Sequence, residues 1–169
     1  MKTILLFACL AASICLPLSA CFAQSIQGTF AIKNVRTGML LRPLEASNKN
    51  ATPIVSYQPT NWKCMTWDFK PVSGQTYYLR NLLTGKTLQP VAANPEEGTP
   101  LEQQPMQDGA VQQWEFVPAE NNSFLIRLKG TVLYITPTED GSLNSRIILA
   151  KKKTGNLQLW TIYEQHPTM

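Results

Sequence analysis

One stretch of this chain returns at a fixed step, and that period limits the fold more than any other feature. Phe30-Ala31-Ile32-Lys33-Asn34-Val35-Arg36-Thr37-Gly38-Met39-Leu40-Leu41-Arg42-Pro43 matches Tyr77-Tyr78-Leu79-Arg80-Asn81-Leu82-Leu83-Thr84-Gly85-Lys86-Thr87-Leu88-Gln89-Pro90 position by position, 47 residues later. A further 47 residues bring Phe124-Leu125-Ile126-Arg127 and then Leu133-Tyr134-Ile135-Thr136-Pro137. A second landmark follows in each copy: Trp67-Asp68-Phe69, Trp114-Glu115-Phe116 and Trp160-Thr161-Ile162, spaced 47 and then 46. There are three copies, with one residue lost in the third, and self-similarity of this length means that each copy is one structural unit.

Each unit reads as strands. Runs such as Phe30-Ala31-Ile32-Lys33 and Leu125-Ile126-Arg127-Leu128 alternate with period two, and Thr37-Gly38, Thr84-Gly85 and Lys129-Gly130 supply turns between apolar runs. Four short strands per copy are predicted, over repeats of about 28–74, 75–121 and 122–169, with no amphipathic helix. A unit of this size cannot bury its own apolar face, so the three must share one core. Propellers use similar units but need about four to eight of them. The expected fold is therefore all-β, with twelve strands closing around a pseudo-threefold axis. Trp67, Trp114 and Trp160, with Ile32, Leu79 and Ile126, should fill the interior. An apolar fraction of 44% with 15% charged residues suits such a globular domain.

Residues 1–23 stand apart from the repeats. Lys2 precedes an apolar run, Ile4 to Leu16, of secretory-leader length and too short for a convincing membrane span. Two processing readings compete. Cleavage after Ala23 would release a secreted or periplasmic domain over 24–169. Leu18-Ser19-Ala20-Cys21 instead reads as a lipobox, and acylation of Cys21 would make a cell-surface or outer-membrane lipoprotein, the one route to a membrane. Because Cys9, Cys15 and Cys21 belong to this segment or its boundary, the domain keeps Cys64 alone, read as a small buried hydrophobe, and no disulfide framework is available.

The repeats resemble the ricin B-type β-trefoil lectin domain family. Its mark is a Gln-x-Trp near the end of each repeat, present as Gln112-Gln113-Trp114 and Gln158-Leu159-Trp160 and degenerate in the first copy as Met65-Thr66-Trp67. Asn81-Leu82-Leu83-Thr84-Gly85-Lys86 and Gly98-Thr99-Pro100-Leu101 match its other marks. The resemblance spans residues 28 to 163. It implies a β-trefoil of three four-stranded repeats and one shallow sugar pocket per repeat. In such a pocket a planar carboxylate or amide takes neighbouring hydroxyls, and an aromatic ring covers the C–H face.

Carried over position by position, the family's pocket Asp falls on Arg42, Gln89 and Thr136, and none of these is acidic. Its aromatic platform falls on Tyr57, Gln104 and Ala150, and the Asn before the motif on Cys64, Val111 and Leu157. The third pocket is thus expected to be dead. The second offers Gln89, Glu102, Gln104 and Gln112, polar but without a platform. The first offers Tyr57 and Trp62 as platforms, with Arg42 a fork suited to an acidic sugar or carboxylate. The motif glutamines have a second reading, as amides that satisfy buried backbone groups.

Enzyme chemistry lacks components. The single histidine, His166, lies near the C-terminus, where fraying is expected, so Ser-His, Cys-His and ordinary zinc sites have no members; neither cofactor nor metal is expected. Glu96-Glu97 reads as a polar loop and Glu139-Asp140-Gly141 as a turn. Fifteen basic and eleven acidic residues, a net charge of +4, are too mild and too dispersed to argue for a phosphate-tracking surface, so nucleic acid is not the expected partner. Lys151-Lys152-Lys153 reads as a solvated edge guard. The expectation is an exported, non-catalytic module that binds a glycan weakly through repeat 1 or repeat 2. The alternative is a protein-interaction or inhibitor-type trefoil using loops such as Tyr57-Gln58-Pro59-Thr60-Asn61-Trp62.

Overall fold

The computed structural model describes residues 25–138 and 141–168. The leader over 1–23, its acylation candidate Cys21 and the Glu139-Asp140 turn lie outside the described residues. The first copy forms β1 (Gly28–Asn34), β2 (Leu40–Pro43), β3 (Thr52–Tyr57) and β4 (Thr66–Ser73). The second forms β5 (Thr76–Asn81), β6 (Thr87–Pro90), β7 (Leu101–Gln104) and β8 (Trp114–Pro118); the third forms β9 (Phe124–Leu128), β10 (Leu133–Pro137), β11 (Ile147–Lys151) and β12 (Leu159–Glu164). The helical pieces among the described residues are single 3-10 turns at Leu44–Ala46, Lys63–Met65 and Ala110–Gln112.

The outer strands of each copy close a barrel. β1 pairs with β4, β4 with β5, β5 with β8, β8 with β9, β9 with β12, and β12 returns to β1, all antiparallel. Closure of this kind leaves no free sheet edge in the ring. The inner strands form three hairpins, β2–β3, β6–β7 and β10–β11. These lean on one another through Thr52 opposite Gln103, Val55 opposite Arg146 and Pro100 opposite Ile148, which makes a triangular cap. The architecture is a β-trefoil.

The threefold repetition of the sequence is visible in single bonds. The indole nitrogens of Trp67, Trp114 and Trp160 donate to the carbonyl oxygens of Leu41, Leu88 and Ile135, each at 3.1 Å. All three tryptophans, and Ile32, Leu79 and Ile126, are fully buried in one core. Each indole fills volume and also satisfies a carbonyl of its own hairpin, as a buried Trp must. Below them Phe69, Tyr77 and Phe116 meet edge to face or tilted, with centroids 5.1 to 5.6 Å apart.

The turns before β2, β6 and β10 contain Gly38, Gly85 and Gly130 at φ of 71°, 68° and 76°, a left-handed conformation that glycine alone adopts without strain. Asn34 and Asn81 brace the first two of these turns. Their side-chain oxygens accept from the backbone of Arg36 and Thr37, and of Leu83 and Thr84; their amide nitrogens donate across the seam to the carbonyls of Leu157 and Cys64 at 2.8 and 2.9 Å. The third copy has Leu128 here and makes no such tie.

Candidate functional site

The family's pocket positions all lie on the cap hairpins, and the three copies put them to different uses. In repeat 1, β2 and β3 bring Arg42 and Tyr57 together, and the Arg42 guanidinium carbon lies 3.4 Å from the centre of the Tyr57 ring. Arg42 is only 7% exposed. Its Nη2 donates to Asn144 Oδ1, from the third repeat, at 3.2 Å, while its Nε is buried without a hydrogen-bond partner. The fork expected to face a ligand is folded back onto the expected platform. Burial pushes the adjacent Cys64 thiol above its ordinary pKa, against the opposing pull of the Arg42 charge. Trp62 is 40% exposed; with Ala46, Lys63, Cys64 and Leu83 it lines an apolar depression of about 350 Å³.

In repeat 2 the register of β6 and β7 sets Gln89 opposite Glu102 and Thr87 opposite Gln104. Side chains two apart on a strand share a face, so Gln89, Glu102 and Gln104 form one half-buried polar group. Gln104 Nε2 donates to Glu102 Oε1 at 2.8 Å, and Glu102 Oε2 takes no hydrogen bond among the described residues. Gln112 stands behind this group, 2% exposed, and its Nε2 donates to Gln89 Oε1 at 2.7 Å.

In repeat 3 the same places are Thr136, 2% exposed, and Ala150, fully buried, with Ile148 and Leu157 half-buried beside them. The Thr136 hydroxyl donates to Tyr134 O at 2.9 Å and accepts from Gln158 Nε2 at 2.9 Å.

The motif glutamines are internal clips. Gln112 Oε1 accepts from Gln107 N at 2.7 Å and its Nε2 also donates to Pro105 O; Gln158 does the same with Lys153 N and Lys151 O. Of the two readings of Gln112, its surroundings match the satisfied backbone amide. Repeat 1 has Met65 here, and a residue that no repeat or motif marks, Gln165, takes up part of the work. Gln165 is 6% exposed; its Nε2 donates to Thr60 O at 3.2 Å and its Oε1 accepts from Thr66 Oγ1 at 2.8 Å. Its backbone exchanges bonds with Thr29, so the chain is anchored where fraying was expected. His166, one residue on, is exposed and lies 3.1 Å from Glu164.

Solved structures with this fold include a designed threefold-symmetric protein, ThreeFoil, with a TM-score of 0.77 at 18% identity over 81% of this chain and 99% of that one. The ricin B-like lectin of Macrolepiota procera, solved in complex with lactose, matches with a TM-score of 0.71 at 25% identity, over 83% and 99%. An exo-beta-1,3-galactanase from Clostridium thermocellum matches with a TM-score of 0.76 at 21% identity, over 80% of this chain but 30% of that longer one. No curated protein sequence matches the chain. A family model described as ricin-type beta-trefoil lectin domain-like matches residues 22–104 and again 63–149, two placements offset by nearly one repeat. Threefold barrel, tryptophan ties and motif glutamines all agree with that match, and the chain belongs to this family.

Proposed function

We propose that the protein is an exported, non-catalytic carbohydrate-binding module whose working pocket is in repeat 2. The observation that carries this reading is the group formed by Gln89, Glu102 and Gln104. It presents a carboxylate oxygen free to accept from sugar hydroxyls, with amide groups on either side. The other two copies offer less at the same positions, since Arg42 covers Tyr57 and Thr136 and Ala150 are buried. With no aromatic ring at position 104, the pocket lacks the stacking that strengthens sugar binding, so affinity is weak. A Macrolepiota procera lectin of this family is described with lactose, which makes a galactoside a reasonable first probe. A glycan array followed by titration calorimetry tests the reading. A saturable response that Glu102→Ala abolishes, with melting unchanged, is expected. Silence across neutral and acidic glycans at millimolar concentration would sink it.

Export rests on the leader over 1–23, and mass spectrometry of the mature N-terminus separates cleavage after Ala23 from acylation of Cys21.

A second reading has its own observation. Trp62 and Leu83, 40% and 45% exposed, flank the apolar depression between repeats 1 and 2, an arrangement that suits an interface anchor. A pull-down in which Trp62→Ala loses a protein partner while sugar binding persists would favour it for that face.

A further inference from the structure

The seam between repeats 1 and 2 is latched by side chains. Lys86, just before β6, reaches the β2–β3 loop, where its Nζ donates to Asn48 O at 2.8 Å and Asn48 Oδ1 at 2.6 Å. Gln103 Nε2 donates to Ser47 O and Lys49 O at 2.7 and 2.8 Å, and Gln103 Oε1 accepts from Thr84 at 2.9 Å. One repeat further on, the places of Lys86, Asn48 and Gln103 are taken by Leu133, Pro95 and Leu149. Among the described residues no side chain at these three positions ties the β6–β7 loop to the third repeat; side chains cross between repeats 2 and 3 elsewhere, at Lys129–Gln113 and Arg127–Glu115, and the loop itself is held by backbone bonds, Gly98 N to Leu149 O and Leu149 N to Thr99 O, both 2.8 Å.

The missing latch leaves a cleft of about 680 Å³, within the range of small-molecule sites. Pro95, Glu96 and Glu97 form one wall, Val132 and Leu133 another, and Lys151 a third. Glu96 and Glu97 are exposed, and neither carboxylate is in an ion pair among the described residues. Val132, 64% exposed, is the most open of the large hydrophobic residues described. This cleft is separate from Gln89, Glu102 and Gln104 and from the pocket positions of the other copies.

The latched seam shows what kind of group the open one lacks. There an ammonium from the hairpin rests on two neutral oxygens of the loop. Here position 133 carries no ammonium, the hairpin's Lys151 lines a different wall and is in no ion pair with the loop among the described residues, and the loop offers two carboxylates, which bind a cation more strongly than neutral oxygens do. We infer that this cleft takes the free ammonium of an amino sugar, a hexosamine whose nitrogen is not acylated. The ammonium meets Glu96 and Glu97, the C–H face of the ring lies on Val132 and Pro95, and the ring hydroxyls accept from Lys151 Nζ. A hexosamine carries its cation and its hydroxyl acceptors on one compact ring, which matches walls of both charges better than the side chain of a peptide lysine does. The inference rests on the carbohydrate reading above and adds to it a second site and a sugar class.

The test is a titration of isotope-labelled protein, followed by backbone amide shifts, with a glucosamine oligomer, its fully N-acetylated counterpart and a lysine-rich peptide. Saturable shifts at 95–98 and 130–133 are expected with the glucosamine oligomer, at least tenfold weaker with the acetylated one. The double variant Glu96→Gln, Glu97→Gln should weaken the binding at least tenfold. Leu133→Lys, which rebuilds the Lys86 latch, should abolish the seam shifts; if loss of the buried leucine unfolds it, Val132→Trp at the exposed wall blocks the same space. Equal response to both oligomers, preference for the peptide, or no shift at the seam would overturn the inference. Shifts at Gln89, Glu102 and Gln104 alone would overturn it while leaving the repeat 2 reading intact. Shifts at the seam alone would uphold it and count against that reading.

Discussion

The Arg42 guanidinium lies 3.4 Å over the Tyr57 ring, so the face of the aromatic turned towards position 42 is occupied by the protein itself. The contact is a cation–π stack. It partly offsets the cost of burying a charge whose recorded acceptor is Asn144 Oδ1 at 3.2 Å and whose Nε has no partner. A buried ion compensated this thinly can be replaced by an apolar side chain of similar reach at little cost. Arg42→Met is expected to leave stability unchanged or raise it by about 1–2 kcal/mol in urea denaturation. A loss above about 2 kcal/mol would mean that the cation is better compensated than its contacts indicate.

The motif amides predict a stability effect rather than a binding effect. Gln158 bridges Lys153 N, Lys151 O and Thr136 Oγ1 from a site 1% exposed. Gln158→Ala removes one partner from each of these groups, of which only the Thr136 hydroxyl belongs to a buried residue, and should cost about 1–3 kcal/mol. Gln165→Ala should cost a similar amount although it lies near the end of the chain, because Thr60 O loses its side-chain donor and Thr66 Oγ1 is left with Trp62 O alone. Chemical denaturation checks both, and a Gln165→Ala midpoint equal to the parent's would contradict the anchoring described above.

Much of this was legible in advance, for a physical reason. The step of 47 records one backbone unit that must pack identically three times, so turn glycines, tryptophans and first-strand apolar positions recur where the barrel needs them. What differs among the copies was harder to read. That Arg42 folds back on Tyr57 depends on side-chain direction and on Asn144 arriving from another repeat, which no spacing encodes. Gln165 replaces an amide missing 100 residues earlier, at Met65. Gln103 has Ser56 and Leu149 at its related positions, so no repetition marked it. Asn34 and Asn81 do recur at the common step, and that recurrence was a usable signal for their cross-repeat ties.

Fluorescence separates the four tryptophans. Trp67, Trp114 and Trp160 are fully buried and Trp62 is 40% exposed. Acrylamide should quench one component of the native emission, and Trp62→Phe should remove that component without shifting the melting temperature. Quenching that persists in the variant would place a supposedly interior tryptophan in solvent.

Cys64 gives a pH dependence. Burial raises the folded-state pKa of its thiol, so at alkaline pH the unfolded chain holds fewer protons than the native one. The contribution is fully present below the thiol's ordinary pKa and is lost as the pH rises through the folded value. Tyr163, also raised by burial, acts in the same direction at higher pH, so the comparison with Cys64→Ala isolates the thiol. The parent's stability should fall more steeply with alkaline pH than the variant's; parallel curves would contradict it. Native Cys64 should also resist a thiol reagent that labels it readily in denaturant.

The account as a whole is tested most directly by a crystal structure with the sugar that the array selects. The sugar is expected on the β6–β7 hairpin, with hydroxyls within hydrogen-bonding distance of the Glu102 carboxylate and the Gln89 amide. Arg42 should remain folded over Tyr57. A sugar seated on repeat 1 or repeat 3, with the repeat 2 group untouched, would contradict it.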